Sequence, residues 1–317
     1  MILQVFSVLS ANKIIILKTF ISHREVLIKE VRYMKVGIQL YSVRNRMASD
    51  PVGTIREVVN RGYRNIEAAN HNAENDSGVG FGVTSQDLKQ MLDELGASII
   101  SAHVMPLNES NIDRVLEYHS FIGTKYIAVP IAFFRGRDDA LRMAETLNRM
   151  GERCHSAGIQ LLYHNHYHEF QRFDGEGILH TIATNSDPSL VQFEIDTYWT
   201  MRAGKDPIEL LRMLGTRVRL IHQKDYTKGY EAEIDLLRSA QEAGDYIDMK
   251  RFERDLKNET FTEVGTGIMD IQSIIDIGNT ICGAEYIILE QDYSLLDELE
   301  SVSVSMDSFK QFSGIEW

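Results

Sequence analysis

The segment RMLGTRVRLIHQKD, Arg212 to Asp225, contains the kind of joint that decides the fold. Residues typical of a helix lead into Gly215, and a short apolar run that includes Val218 and Ile221 follows it. A glycine in this place is typical of the left-handed residue that ends a helix, and the run after it is typical of a strand. The segment therefore predicts a helix, a tight turn and a β-strand, in that order.

The same joint recurs at five other places after Met34. These copies are NRGYRNIEAA, DELGASIISAHV, SFIGTKYIAVP, HSAGIQLLYHN and TICGAEYIILEQD, with glycines at positions 62, 96, 123, 158 and 283. KVGIQLYSV and LVQFEIDTYW add two further strands, which brings the number to eight. Helix starts between the strands are indicated by Asp50–Pro51, Thr84-x-x-Asp87 and Asp206–Pro207. Eight strand–helix units in about 250 residues is the count of a (β/α)8 barrel.

We therefore predict an α/β protein with a single (β/α)8 TIM barrel that spans residues 34–317. An open doubly wound sheet would show the same alternation, but it predicts a glycine-rich phosphate loop after the first strand. The residues found there are LYSVRNRMASD. Residues 226–262 are charged and helical in character, which predicts an insertion after strand seven that covers the mouth of the barrel.

Residues 1–33 differ in character from the rest of the chain. They carry five Lys/Arg and two Glu, a net charge of +3, whereas the whole chain carries −13, so residues 34–317 sum to −16. Their apolar run is broken by Lys13 and Lys18, and the extreme N-terminus lacks the positive charges that open a signal peptide. We expect residues 1–33 to be an extension outside the fold, with Met34 as the functional start.

Charge and cysteine content narrow the class of function. A net charge of −13 disfavours binding to nucleic acid or to an anionic membrane, because phosphate binding depends largely on Lys and Arg. Cys154 and Cys282 stand far apart, which fits two buried thiols in a reducing compartment. We expect a cytoplasmic protein that acts on a small polar molecule, with no nucleic-acid or membrane partner. The sequence is also compatible with a homo-oligomer.

Polar residues end four consecutive predicted strands. In TIM barrels the active site lies at the carboxyl ends of the strands. Burying charged groups there is costly unless they are paired or bind a cation, so such a set predicts a divalent metal site, with simple solvation of the barrel mouth as the alternative. Strands five to eight end at His164, Asp196, His222 and Glu290.

Further polar side chains are expected around the same mouth. The candidates for substrate binding are Glu67, His103, Trp199, Arg202 and Glu263. Glu67 alternatively pairs with an arginine, and His103 is alternatively a hydrogen-bonded pocket histidine. Trp199 would stack on a sugar ring or cap the core, and Arg202 would meet an anionic group or form an exposed salt bridge.

Two short motifs add candidates. In YHNHYHEF, Tyr163 to Phe170, alternate residues share a strand face, so we expect at most His166 to reach the site beside His164, with His168 and Glu169 in the loop. TEVGTGIMD, residues 262–270, has two glycines spaced so that backbone N–H groups can approach a phosphate or a hydroxyl, although a simple turn explains it as well.

Together these motifs resemble the sugar phosphate isomerase/epimerase family of the xylose-isomerase-like TIM barrel superfamily. The resemblance covers nearly all of residues 34–317 and is carried by GIQLYSVR, YHNHYHEF, IDTYW with RAGKDP, HQKD, VGTGIMD and ILEQD. It implies one divalent metal held by His164, Asp196, His222 and Glu290. Ketose epimerases of this superfamily have a glutamate where this chain has His164. The more nitrogen-rich ligand set favours Mn, Co or Zn over Mg.

The resemblance implies a metal-dependent isomerase or epimerase that removes the proton beside the carbonyl of a sugar or keto-sugar, phosphorylated or not, through a metal-stabilised enediolate. Glu290, His166 or Lys224 would take the proton. A metal-bound neutral imidazole at His164 is a poor second base, so a lyase or dehydratase that eliminates a β-leaving group from a keto-sugar, keto-glycoside or inosose is the alternative. A non-catalytic sugar-binding barrel and an apurinic-site endonuclease are further rivals, and the acidic balance disfavours the endonuclease.

Overall fold

The structure, a computed structural model, describes residues 5–10, 13–18, 29–31, 33–243 and 246–317. Within this part of the chain, eight parallel strands pair with their neighbours in chain order, and the last pairs with the first to close a barrel. The predicted (β/α)8 TIM barrel is thereby confirmed. The strands are β1 (Met34–Gln39), β2 (Asn65–Asn70), β3 (Ser98–Val104), β4 (Tyr126–Val129), β5 (Gln160–His164), β6 (Val191–Asp196), β7 (Val218–Gln223) and β8 (Tyr286–Leu289).

Helices alternate with these strands. In the described part of the chain they are α1 (Arg44–Ser49), α2 (Pro51–Asn60), α3 (Ser85–Leu95), α4 (Ile112–Ile122), α5 (Arg137–Ser156), α6 (Ile178–Asn185), α7 (Thr197–Arg202), α8 (Pro207–Leu214), α9 (Leu236–Ala243), α10 (Met249–Asp255), α11 (Ile271–Ile277) and α12 (Glu298–Phe309). A π-helical stretch, Gly278–Cys282, continues α11. Among the residues that the structure describes, no helix has the length and apolar content needed to span a membrane.

Helix ends follow the expected signals. Side chains of Asp50, Thr84 and Asp206 each accept a hydrogen bond from a backbone N–H in the first turn of the helix that follows. Each contact satisfies an amide that the helix itself leaves unpaired. The six joint glycines all have positive φ, as predicted. Gly215 combines a φ of 52° with a ψ of −130° and begins a short 3-10 helix (Gly215–Arg217) that leads into β7.

An apolar layer fills the barrel below its mouth. The strand alternation places this layer and the polar residues above it on the same inward faces, since residues two apart on a strand share a face. Leu162 precedes His164 in this way, Leu220 precedes His222, and Ile288 precedes Glu290. The layer consists of Ile100, Tyr126, Ala128, Leu162, Leu220, Tyr286 and Ile288. Outside it, the strands pack against the helices in a larger core that includes the buried, unpaired Cys154 and Cys282.

After β7 the chain leaves the barrel in an excursion, residues 225–262, before returning to α11. Two short antiparallel strands, Asp225–Tyr226 and Phe261–Thr262, pair at its base. The excursion contains α9 and α10 and occupies the place of the insertion predicted for residues 226–262. Its two ends therefore meet at one point beside the barrel mouth.

Asp225 fixes the glycine loop that follows the excursion. One carboxylate oxygen accepts the N–H groups of Gly265 and Gly267, both at 2.9 Å, and the other accepts that of Met269 at 3.0 Å. Burial raises the pKa of Asp225, and these N–H groups oppose the shift. Of the two interpretations of this loop, approach to a phosphate or a hydroxyl and a simple turn, the structure favours the turn, because the amides are bonded to a side chain of the same protein.

The prediction for residues 1–33 falls partly on residues outside those described. Among the described ones, Val5–Ser10, Lys13–Lys18 and Lys29–Val31 form a three-stranded antiparallel sheet, and none of these strands pairs with a barrel strand. We propose that the functional barrel begins at Met34, the first residue of β1.

Removing residues 1–33 should leave a soluble chain that unfolds cooperatively in a circular dichroism melt, and aggregation of the shortened chain would contradict the proposal.

Gly267 is a sensitive position because a side-chain Cβ there would overlap the Asp225 carboxylate and the Tyr226 carbonyl. We expect Gly267→Ala to lower the free energy of unfolding by about 1–3 kcal/mol, as overpacking does elsewhere. Gly136→Ala is the matched control, since no atom lies within 4 Å of a Cβ there and its φ of 177° suits any residue. Denaturant unfolding measures both, and equal stability of the two variants would show that the loop yields to the added methyl group.

Candidate active site

The four predicted metal ligands meet at the carboxyl ends of β5 to β8. One donor atom from each of His164, Asp196, His222 and Glu290 lies within 4.8 Å of the others, and all four residues are buried. His164 and Asp196 are the last residues of their strands, His222 is next to last in β7, and Glu290 follows β8 directly. The structure therefore brings the predicted set together.

The donor set fits a divalent cation. Nε2 of His164 is buried and has no hydrogen-bond partner, which is costly for a polar atom unless something binds it. Burial lowers the pKa of His164 to about 4, so the ring is neutral and keeps a free lone pair. Two imidazoles and two carboxylates suit zinc, manganese or cobalt, whereas magnesium prefers an all-oxygen set.

Lys224 lies among the carboxylates of this set. Its fully buried ammonium donates to Asp196 at 2.5 Å and also to Glu290, and it lies 3.8 Å from Asp292. Burial disfavours the charge, but the three carboxylates outweigh it and hold the pKa of Lys224 well above its ordinary value. As an ammonium, Lys224 can donate a proton but cannot accept one.

Glu194, which the sequence reasoning missed, lies one layer deeper than Asp196 on the same face of β6. Its Oε2 accepts hydrogen bonds from Nε2 of His103 at 2.6 Å and from Nδ1 of His164 at 3.0 Å. Burial opposes its ionisation, but His222 and His103 outweigh it and hold the pKa of Glu194 well below its ordinary value. The alternation in VQFEID was the available signal, because Glu194 and Asp196 are two residues apart.

Glu67 completes this lower layer. Its Oε2 lies 2.6 Å from Nε2 of His222 and accepts a hydrogen bond from Gln39 at 3.0 Å. Burial and the neighbouring Glu194 raise the pKa of Glu67, against the pull of His103 and His222. Glu67 is fully buried and does not reach the cavity described next.

A cavity of 340 Å³ opens above the ligand set, within the size range of small-molecule sites. His103, His164, His166, Glu290 and Asp292 contribute its polar lining, and Trp199 stands beside them. The excursion contributes an apolar wall made of Met249, Phe252, Leu256 and Phe261. Polar groups from the barrel thus face a wall from residues 225–262 that is mainly apolar and also includes Glu253 and Asn258.

Arg202 and Glu263 lie outside the lining of this cavity. The buried guanidinium of Arg202 donates to the hydroxyl oxygens of Tyr198 at 2.9 Å and Thr260 at 2.8 Å, and so ties α7 to the end of the excursion. Glu263 accepts a hydrogen bond from Ser294 at 2.5 Å. Of the five predicted substrate-binding residues, the structure places His103 and Trp199 at the cavity.

Two further groups in the cavity lining have free polar atoms. Nδ1 of His166 has no hydrogen-bond partner, and burial lowers the pKa of this ring well below its ordinary value. Asp292, which the sequence reasoning missed, follows Glu290 in ILEQD. Burial raises its pKa to about 7, with Lys224 opposing the shift and Glu290 adding to it. His166 and Asp292 are thus candidates for proton transfer in this lining, which also includes His71 and Glu253.

The rest of YHNHYHEF holds His166 in place. His168 and Glu169 lie beyond the end of β5, as expected, in a 3-10 helix that spans His168–Phe170. Glu169 accepts the backbone N–H of His166 at 2.9 Å and the hydroxyl of Tyr163 at 3.0 Å. The strand end therefore contributes one histidine to the ligand set and one to the cavity wall.

Residues 55–281 of the chain match the family described as xylose isomerase-like TIM barrel. An inosose dehydratase of Lacticaseibacillus casei is 29% identical over 142 residues, which cover 43% of this chain and 42% of that protein. One from Clostridium perfringens is 24% identical over 214 residues, which cover 67% of this chain and 64% of that protein. The chain therefore matches less than two thirds of the length of these relatives.

Solved structures show the same fold. A sugar phosphate isomerase/epimerase from Parabacteroides distasonis has a TM-score of 0.68 at 23% identity, covering 89% of this chain and 96% of that one. The IOLI protein with a bound zinc atom has a TM-score of 0.65 at 13% identity, covering 88% of this chain and all of that one.

The unpartnered Nε2 of His164 leads to a prediction about metal content. After incubation with Mn, Co or Zn and dialysis, elemental analysis should find one metal ion per chain, and His164→Ala should lose it. His180→Ala, at an exposed histidine outside the site, is the control and should keep the metal. A native protein that retains no metal would show that these side chains only form a polar barrel mouth.

Proposed function

The chain belongs to the xylose isomerase-like TIM barrel family, and on this premise we propose that it is a metal-dependent enzyme that removes the proton beside the carbonyl of a keto-sugar. The convergence of His164, Asp196, His222 and Glu290 beneath a small-molecule cavity carries the proposal. A divalent cation bound there would polarise the carbonyl and stabilise the negative charge that develops as the proton leaves. The relatives named as inosose dehydratases and as a sugar phosphate isomerase/epimerase support a carbohydrate substrate.

His166 is the base that we favour. Its Nδ1 is unpartnered and the residue lines the cavity, so a substrate proton is within its reach in a suitable pose. The ring is held between Trp199 and Phe252, with centroid distances of 5.6 Å and 5.1 Å. Glu290 is a weaker choice, because Lys224 and His222 already contact its Oε2.

Elimination is the reaction that this arrangement suits best. The electron pair of the broken C–H bond forms a C=C bond as the β C–O bond breaks, and the proton taken by His166 returns to the departing oxygen as water forms. This sequence needs one base. The position where ketose epimerases carry a glutamate is His164, whose Nδ1 is bonded to Glu194, so β5 supplies no second carboxylate to the cavity. The relatives named inosose dehydratase support the same reaction type.

Isomerisation or epimerisation is the second candidate, and Asp292 is the observation that favours it. Among the described residues, its carboxylate accepts no hydrogen bond, and the ammonium of Lys224 lies 3.8 Å from it. A free carboxylate in the cavity lining would serve as the second base that inversion of a carbon centre requires.

The charges around the cavity favour a substrate without a phosphate group. Arg44 is the one lysine or arginine in the described lining, and it already donates to the backbone carbonyls of Tyr41 at 3.1 Å and Asp292 at 2.5 Å. Three carboxylates, Glu253, Glu290 and Asp292, line the same cavity. A phosphate group would find no uncommitted lysine or arginine in this lining to pair with, whereas a neutral keto-sugar or inosose needs none.

The proposal predicts loss of water from an inosose in the presence of Mn, with deuterium from D2O appearing at the carbon beside the carbonyl of recovered substrate. His166→Gln should slow both processes by about 100-fold or more, because a general base contributes at least that much. Its metal content should stay unchanged. His71→Gln, another histidine of the cavity lining, should cost less than about tenfold and is the control.

Product analysis separates the two candidates. Elimination is supported if the native protein forms a dehydrated product and the Asp292→Asn variant stays active. Inverted or isomerised sugar, lost in Asp292→Asn, would replace elimination with the second candidate. No exchange and no product with inososes, keto-sugars and keto-glycosides would overturn the proposed enzyme activity altogether.

A further inference from the structure

Glu67 and Glu194 form a carboxylate layer beneath the candidate metal site, and the proposed reaction makes no direct use of them. We propose that both are positioning residues that select which ring nitrogen each ligand histidine presents to the cation. Glu194 would fix His164 so that Nε2 binds, and Glu67 would fix His222 so that Nδ1 binds. This inference rests on the proposed metal site.

The contact of Glu194 determines the tautomer of His164. An ionised carboxylate only accepts hydrogen bonds, so Nδ1 of His164, 3.0 Å from Glu194 Oε2, must carry a hydrogen. A neutral imidazole has one N–H, so Nε2 keeps a lone pair. That atom is the one found buried and without a partner. A cation is the natural partner for it, since the donor atoms of Asp196 and Glu290 lie within 4.8 Å of a His164 nitrogen.

The same reasoning applies to His222 in the opposite ring orientation. Its Nε2 lies 2.6 Å from Glu67 Oε2 and 3.1 Å from Glu194 Oε1, so this nitrogen carries the hydrogen. Its Nδ1 lies 3.0 Å from Oε2 of Glu290. A cation bound by both atoms would take the place of the hydrogen that Nδ1 contributes to this contact.

A further pair of side chains holds the two carboxylates. Gln39 donates to Glu67 at 3.0 Å, and His103 contacts Glu194 at 2.6 Å. An irregularity in the pairing of β2 with β3 occurs just before His103, where Ile66 opposes Ile99 but Glu67 opposes Ser101. A bulge of this kind re-aims the side chains that follow it. The lower layer is therefore built into the strands and is almost completely shielded from water.

A competing assignment makes the lower layer a metal site in its own right. His103, His164, Glu194 and His222 also bring donor atoms within 4.8 Å of one another. However, all three ring nitrogens that face Glu194 lie 2.6 to 3.1 Å from its oxygens. The contacts of His103 and His164 with Glu194 Oε2 are hydrogen bonds, and Nε2 of His222 bonds to Glu67, so each of these nitrogens already has an acceptor, which favours support of the ligands over direct coordination.

Metal affinity tests the inference without reference to activity. Glu194→Gln and Glu67→Gln should each bind one Mn ion per chain, with a dissociation constant raised about 10-fold to 100-fold, as expected when a carboxylate behind a ligand histidine is removed. Isothermal titration calorimetry measures this constant. Glu285→Gln is the matched control, because Glu285 precedes β8 at the opposite end of the barrel and should leave the affinity unchanged.

Nitrogen-15 NMR of the histidine rings in the zinc-loaded native protein supplies a second test that needs no variant. It should show Nε2 of His164 and Nδ1 of His222 as the metal-bound nitrogens, with hydrogens on the opposite nitrogens. Unchanged Mn affinity in both glutamine variants, or metal on the opposite nitrogens, would overturn the inference. Metal lost in His103→Ala but kept in Asp196→Ala would assign the site to the lower layer and also overturn it.

These outcomes are separable from the fate of the proposed function. If the native protein binds one metal ion through the expected nitrogens but shows no exchange or elimination, the positioning role stands and the proposed reaction fails. If the protein binds no metal at all, both fail together.

Discussion

Burial of negative charge inside the barrel is the constraint on which the rest of the site depends. Four carboxylates, from Glu67, Glu194, Asp196 and Glu290, lie almost completely shielded from water on inward faces of the structure. Each would cost several kcal/mol without a compensating partner. The buried ammonium of Lys224 donates hydrogen bonds to Asp196 and Glu290. The imidazoles of His103, His164 and His222 donate to the deeper carboxylates, Glu67 and Glu194. The site thus alternates carboxylates with the nitrogen groups that donate hydrogen bonds to them, and moving any member leaves another without a partner.

Much of this arrangement can be predicted from the sequence because it follows from two local patterns. The glycine that ends each helix and the apolar run after it indicate the barrel, and the period of two along a strand then determines which residue at each strand end faces inward. His164, Asp196, His222 and Glu290 were found in this way. Glu194 was missed because only the last polar residue of each strand was considered. Asp292 was missed because it lies three residues beyond the end of β8, where loop geometry rather than alternation sets the direction of a side chain.

Other residues depend on contacts that no local pattern records. Arg202 stands close to the barrel mouth along the chain, yet its guanidinium turns to Thr260, which is 58 positions away. The glycine loop has the sequence of an anion-binding loop, and its amides do bind an anion, but that anion is the carboxylate of Asp225 at the base of the excursion. In both cases the sequence correctly indicated a group that binds an oppositely charged or polar partner. The partner, Thr260 or Asp225, lies in the excursion or at its base and was not predicted. Tertiary structure therefore determines the partners of Arg202 and of the glycine loop.

The attachment of the excursion at a single strand pair affects how the sequence of such a protein can evolve. Both ends of residues 225–262 meet in one two-residue strand pair, so the segment can lengthen, shorten or change sequence without moving β7 or β8. Closing a longer loop between fixed ends costs little additional entropy. The apolar wall of the cavity comes from this segment, while the proton-transfer and ligand groups come from the barrel. Selection can therefore vary most of the apolar wall, and with it the shape of the substrate, within one segment, whereas Phe252 is constrained by its contact with the His166 ring.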